Sequence, residues 1–177
     1  MDKWREYLQI AKEMLGALLV ALLIQTFVVM HINIPSESMV PTIQVGDHLL
    51  VSQLPLYYRH PIPGEMVVFE ENGIQMIKRV IAGPGQVVDI REGQVFVDDV
   101  RQEESAYLNK DNVTEPYYYS SEDITYPYEV PEDHYFMMGD NRLHSRDSRD
   151  YGPVHRQSMI ALAGVRIYPF NTVGKVK

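Results

Sequence analysis

The sequence predicts a mostly β domain carried behind one N-terminal membrane-spanning helix. Two observations predict it. Residues Met14 to Met30, MLGALLVALLIQTFVVM, are interrupted only by Gln25 and Thr26. After Pro41 the chain turns to short β-rich runs divided by Pro- and Gly-containing turns, the pattern of an antiparallel β domain.

The apolar run comes first. Its length is about 26 Å at ~1.5 Å per residue, short for a hydrocarbon core of about 30 Å. Continuing the helix through His31 to Ile34 makes up the difference, with some cost for Asn33. The run is apolar all round rather than along one stripe, which favours lipid over a soluble core. A cleaved leader is the competing reading, but no small-x-small site is evident, and Ile34-Pro35 is a poor exit. Lys3, Arg5 and Lys12 precede the run, and no Lys or Arg follows until Arg59. By the positive-inside rule, residues 1–33 are then a cytoplasmic N-terminus and anchor, and residues 34–177 an extracytoplasmic domain.

Composition narrows the chemistry. The 177 residues carry 16 Lys and Arg against 24 Asp and Glu, a net charge of −8. That balance argues against nucleic acid as a partner, because phosphate neutralisation needs clustered cations. There is no cysteine, so disulfides, thiol nucleophiles and Cys-based zinc sites are excluded. Six histidines are scattered without an HExxH or other close ligand pair, and neither a metal nor a cofactor is expected.

The strands follow in order. Asp47 to Val51 (DHLLV), Glu65 to Phe69 (EMVVF) and Ile74 to Ile81 (IQMIKRVI) read as strands. Val87 to Ile90 and Val95 to Val97 flank REGQ, a hairpin signal. Residues 101–134, Tyr-rich and acidic, read as an irregular excursion or an extra hairpin, and VRIYPF as a closing strand. Leu54, Leu56, Tyr57 and Tyr58 form an apolar cluster for which lipid contact and burial are equally open.

Three segments carry the chemistry. In IQMIKRVI each face of the strand bears one cation, Lys78 or Arg79. Burial among apolar side chains lowers a lysine pKa and can leave a neutral base, whereas Arg79 stays charged and requires a carboxylate or water. A strand lysine can equally keep its ammonium in solvent with the stem packed. In PSESMVPT, Pro35 and Pro41 stiffen an elbow that can expose the Ser38 hydroxyl and bring the Ser36 hydroxyl and Ser38 N–H together as an oxyanion site. A capping or turn serine would look the same. The third segment, MGDNRLHSRDSRDYGP, is dense in Asp and Arg, whose pairing can lock a loop.

Taken together, the three segments resemble those of the bacterial type I signal peptidases, in their short Gram-positive-like form. PSESMVPT looks like the family's serine box, IKRVIAGPGQ like its lysine box and GDNRLHSRDSRDYG like its third box, all behind an N-terminal anchor. The resemblance implies a signal-peptidase-like antiparallel β-sheet domain. It implies a membrane-bound endopeptidase that removes signal peptides from secretory pre-proteins through a Ser/Lys dyad. Ser38 is then the nucleophile, Lys78 the general base, and Ser36 with the Ser38 N–H the oxyanion hole. Ser145 would hydrogen-bond and orient the Lys78 amine. Asp147 and Arg149 would pair behind the site, with Asp140 holding the same loop. Ile34, Pro35, Met39, Ile43, Met76 and Ile77 fall where the family lines shallow substrate pockets. Gln86 stands where the lysine box usually has an acid, which affects a turn contact and not the chemistry. The expected partners are signal peptides and membrane lipid. Two rivals remain. One is a Ser-His-Asp hydrolase using His144, and the other a catalytically inactive, anchored binding or assembly factor.

Overall fold

The computed structural model describes residues 2–108, 113–116 and 124–176, without the side chains of residues 2 and 23–27. Helix α1 (Asp2–Phe27) leads into strand β1 (Val29–Asn33), and then β2 (His48–Ser52) and the short helix α2 (Leu54–Tyr58). Strands β3 (Met66–Glu71), β4 (Ile74–Ala82), β5 (Val87–Arg91), β6 (Gln94–Val97) and β7 (Val100–Arg101) follow. The remainder comprises β8 (Tyr128–Glu129), β9 (His134–Met138), helix α3 (Ser148–Tyr151), β10 (Val154–His155), β11 (Met159–Tyr168) and β12 (Gly174–Lys175).

All strand pairs are antiparallel. The larger sheet runs β1-β2-β11-β3-β4-β9-β10, with β12 on β11; the smaller runs β7-β6-β5-β8. Two hairpins owe their register to turns of two residues that both have positive φ. These are Asn72 (52°) and Gly73 (76°) between β3 and β4, and Glu92 (51°) and Gly93 (75°) between β5 and β6. Such turns match the twist of the flanking strands. After β4, Gln86 Oε1 accepts the Gly83 N–H at 2.9 Å, so the amide oxygen makes the local turn contact.

Two expectations are corrected. The helix stops at Phe27, and Val29–Asn33 is a strand paired with β2 from Val29↔Ser52 to Asn33↔His48. The local reason is alternation: Met30 and Ile32 pack on the core while His31 and Asn33 are exposed. Among the described residues no helix is long and apolar enough to cross a membrane. The apolar run continues through residues 23–27, whose side chains lie outside that description. Strand β11, which holds the VRIY of the segment read as a closing strand, is the longest among the described residues and central, lying between β2 and β3.

Helix α2 starts with Pro55 in its first turn. Its Leu56 packs on the core, and Tyr57 and Tyr58 are exposed. Of the Tyr-rich excursion, residues 109–112 and 117–123 lie outside the described residues. The described part is tied down by buried Glu104 and Thr114. The core has three apolar clusters. One packs β1 and β2 on Met39 and Ile43, one lies against β3, β4 and β9, and one joins the two sheets through Ile81, Val88, Val95 and Phe136.

Candidate active site

The serine segment leaves β1 at Ile34 and makes one helical turn, with Val40 N–H donating to Glu37 O and Ile43 N–H to Met39 O. Met39 and Ile43 are fully buried and pin this turn to the core. Ser38 is thereby held at the edge of the sheet. From the other side Asn141 fixes the same stretch: its N–H donates to Ser38 O at 3.0 Å and its Nδ2 to Glu37 O at 3.1 Å.

Lys78 sits in the middle of β4 opposite Val67 and is 3% exposed. Its Nζ donates to Ser38 Oγ at 2.6 Å. Burial lowers the amine from its ordinary 10.5 to about 8. Asp147 and Asp140 hold it up and Arg149 pushes it down, but desolvation outweighs them. A primary amine near 8 is about one-tenth neutral at pH 7. Ser36 Oγ lies 3.5 Å from Ser38 Oγ, and the Ser38 N–H has no acceptor among the described residues. The elements present are therefore a hydroxyl, an amine that readily loses its proton, and two donors beside the hydroxyl.

The loop after β9 backs this pair with buried arginines. Arg79 grips Asp140 in a bidentate pair at 2.8 and 2.6 Å, and Thr42 donates to the same carboxylate at 2.5 Å. Arg149 pairs with Asp147 at 2.8 Å, both fully buried, as expected. Asp147 also caps α3 by accepting the Arg149 N–H, and it holds the Gly139 N–H at 2.9 Å. Arg142 pairs with Glu104 at 2.6 Å, bonds Thr114 and donates to Gly139 O at 3.0 Å. Glu104, Thr114 and Gly139 were not singled out from the sequence; the glycine of MGDN was the one local signal.

Gly139 has no room for a side chain. A Cβ there would lie 2.1 Å from Ser145 Oγ and 2.4 Å from Ser38 O. Ser145 is fully buried, and its Oγ has no hydrogen-bond partner among the described residues. The expected hydrogen bond from Ser145 to the Lys78 amine is therefore not made; the hydroxyl is packed against Gly139 instead.

A cleft of about 370 Å³ opens over Ser38 and Lys78. Its apolar lining includes Ile34, Pro35, Met76 and Ile77, joined by Ile32, Val68 and Ile74. Met39 and Ile43, expected to line pockets, do not line it: both are 0% exposed and belong to the core. The cleft's polar lining adds Asn33, Ser36 and Gln75, and the charged or titratable Glu37, His144 and Arg146. No described hydrogen bond joins the His144 ring to Ser38 or to an aspartate, whereas Lys78 reaches Ser38 directly. Among the described residues no group of three or more His, Asp or Glu side chains is gathered to hold a metal.

Comparison with known proteins agrees with this geometry. The family described as signal peptidase, peptidase S26 matches residues 7–168. A probable signal peptidase I-2 of Synechocystis sp. is 34% identical over 176 residues, covering 95% of this chain and 76% of that protein. Signal peptidase I S of Bacillus subtilis is 29% identical over 178 residues, covering 99% of this chain and 96% of that protein. A crystal structure of a signal peptidase I from Enterococcus faecalis matches with TM-score 0.50 and 29% identity, covering 59% of this chain and 97% of that one. By sequence along nearly its whole length and by fold, the chain belongs to the signal peptidase family, peptidase S26.

Proposed function

We propose that this protein is a signal peptidase I, a serine endopeptidase that removes signal peptides from secretory precursors, with Ser38 as nucleophile and Lys78 as general base. The observation that carries the assignment is the 2.6 Å contact between a buried amine and a hydroxyl at the floor of a cleft. Neutral Lys78 takes the proton as Ser38 Oγ attacks the scissile carbonyl. The Ser36 hydroxyl and Ser38 N–H hold the developing oxyanion, and one such donor is worth about 3–4 kcal/mol. The Lys78 ammonium then protonates the leaving amine, releasing the mature protein and leaving the signal peptide as an ester on Ser38. Water, deprotonated by Lys78, hydrolyses the ester. The Asp147–Arg149 and Asp140–Arg79 pairs keep the wall behind the amine in shape.

The precursor binds as an extended strand. Two strand edges bound the cleft and lack a neighbour among the described residues: the outer edge of β1, and the stretch of β4 before Arg79, where pairing with β9 begins. An extended peptide can hydrogen-bond to such edges while alternate side chains enter the apolar wall. Helix α1 serves as the membrane anchor, with Lys3, Arg5 and Lys12 on the cytoplasmic side and the β domain on the opposite face.

A pH–rate profile on a signal-peptide substrate tests the dyad. kcat/KM should rise about tenfold per pH unit and level off near pH 8. Ser38→Ala and Lys78→Arg should each abolish cleavage, since Arg supplies no neutral base. Cleavage retained by Lys78→Arg but lost in His144→Ala would replace this assignment with the histidine one.

A further inference from the structure

The cleft is chemically lopsided. Strands β1 and β4 line it with Ile32, Ile74, Met76 and Ile77 and with the neutral amides Asn33 and Gln75 beside Lys78, whereas the loop after β9 contributes His144 and Arg146, with Glu37 on the serine segment. Arg146 differs from the other arginines of its loop. Arg142 and Arg149 are buried and held by carboxylates, but Arg146 is exposed and has no ion-pair partner among the described residues. Asp147, the acid next to it, is fully buried and bound to Arg149. Glu37 lines the same cleft and forms no ion pair with Arg146 among the described residues. On a chain of net charge −8, an unpaired cation at the mouth of the cleft is an exception to the general field.

Taking the signal-peptidase reading as given, we propose that Arg146 reads the charge of the precursor just past the scissile bond and favours an acidic residue there. The apolar wall suits the small and apolar residues at the end of a signal peptide. The loop that bears Arg146 also holds the backbone of the serine segment, since Asn141 donates to the Glu37 and Ser38 carbonyls. The first residues of the mature chain leave Ser38 over this loop. A carboxylate there meets a guanidinium that no protein group has neutralised, and a lysine there meets like charge.

The test uses the full chain in detergent with three signal-peptide substrates that differ only at the two positions after the scissile bond: Asp, Asn or Lys. At low salt the acidic substrate should exceed the basic one in kcat/KM by roughly threefold to tenfold, mainly through KM, and the ratio should shrink in high salt. Arg146→Gln should bring the ratio towards one, and Arg146→Glu should invert it. An acidic-to-basic ratio unchanged by Arg146→Glu would overturn the role of Arg146. Failure of the wild type to cleave any of the three substrates would overturn the signal-peptidase reading, and this proposal with it.

Discussion

Lys78 and Arg79 are adjacent on β4, yet the regions on either side of the strand handle buried positive charge in opposite ways. On one side Arg79, and behind it Arg142 and Arg149, keep their charge, and each is bound to a carboxylate at 2.6 to 2.8 Å. On the other side Lys78 is as deeply buried, and its close partner is a neutral hydroxyl. Pairing preserves a charge in the interior, and desolvation without pairing removes it. The first region is held by ion pairs, and in the second the amine loses its proton more readily because it lacks such a partner. Arginine and lysine cannot be exchanged between them, since only lysine can give up its proton at accessible pH.

The largest expected effect comes from making the scaffold resemble the dyad. Asp147→Asn leaves Arg149 buried without its counter-charge and should cost about 3–5 kcal/mol in chemical denaturation. If any folded variant retains activity, the acid limb of its rate profile should move to lower pH, because Asp147 is an anion that holds the Lys78 amine up.

Next is the reverse experiment, relieving the dyad of its unpaired amine. Burial that takes Lys78 from 10.5 to about 8 costs the protonated form on the order of 3 kcal/mol. Between those two pH values the folded chain binds fewer protons than the unfolded chain, so wild-type stability rises with pH across that window and is lowest below it. Lys78→Met should be inactive yet more stable at pH 7, with the advantage fading as pH approaches 10.5. Denaturation at pH 7 and pH 10 checks this; a Met variant less stable at pH 7 would mean the amine is not desolvated.

A smaller effect tests the seam between the regions. Gly139→Ala drives a methyl group into Ser145 Oγ and the Ser38 carbonyl. A loss of about 1–3 kcal/mol is expected, with a larger change in kcat than in KM because the Ser38 backbone must shift. The smallest effect lies outside both regions. Glu92 occupies a left-handed turn position at φ 51°, and Glu92→Gly should raise stability by about 0.5 kcal/mol or leave it level, with cleavage unaffected.

How much of this was legible depended on range. The β-rich run EMVVF, the alternation in IQMIKRVI and the REGQ turn located β3 to β6, because those signals lie within a few residues. The need of Arg79 for a carboxylate was legible, but its partner Asp140 was not: 61 residues separate them and no local pattern links them. The same holds for Glu104 and Arg142, 38 residues apart. Strand β1 was hidden because VVMHINI extends an apolar helix without a break, and only pairing with β2 reveals its alternation. Met39 and Ile43 were misassigned for a related reason. An apolar residue beside a nucleophile reads the same whether it lines a pocket or pins the turn from below. The position of β11 in the middle of the sheet is set by partners on both sides, Ser52 and Val67, neither near it in sequence.

The bare edges beside the cleft are short. β1 offers five residues, and among the described residues β4 is unpartnered on that side only from Ile74 to Lys78. A guest chain can thus be gripped over a span of about five residues, roughly 17 Å at ~3.3 Å each. A tool with so brief a handhold can serve a whole traffic of otherwise unrelated cargo, and it offers stray strands little purchase for mistaken pairing.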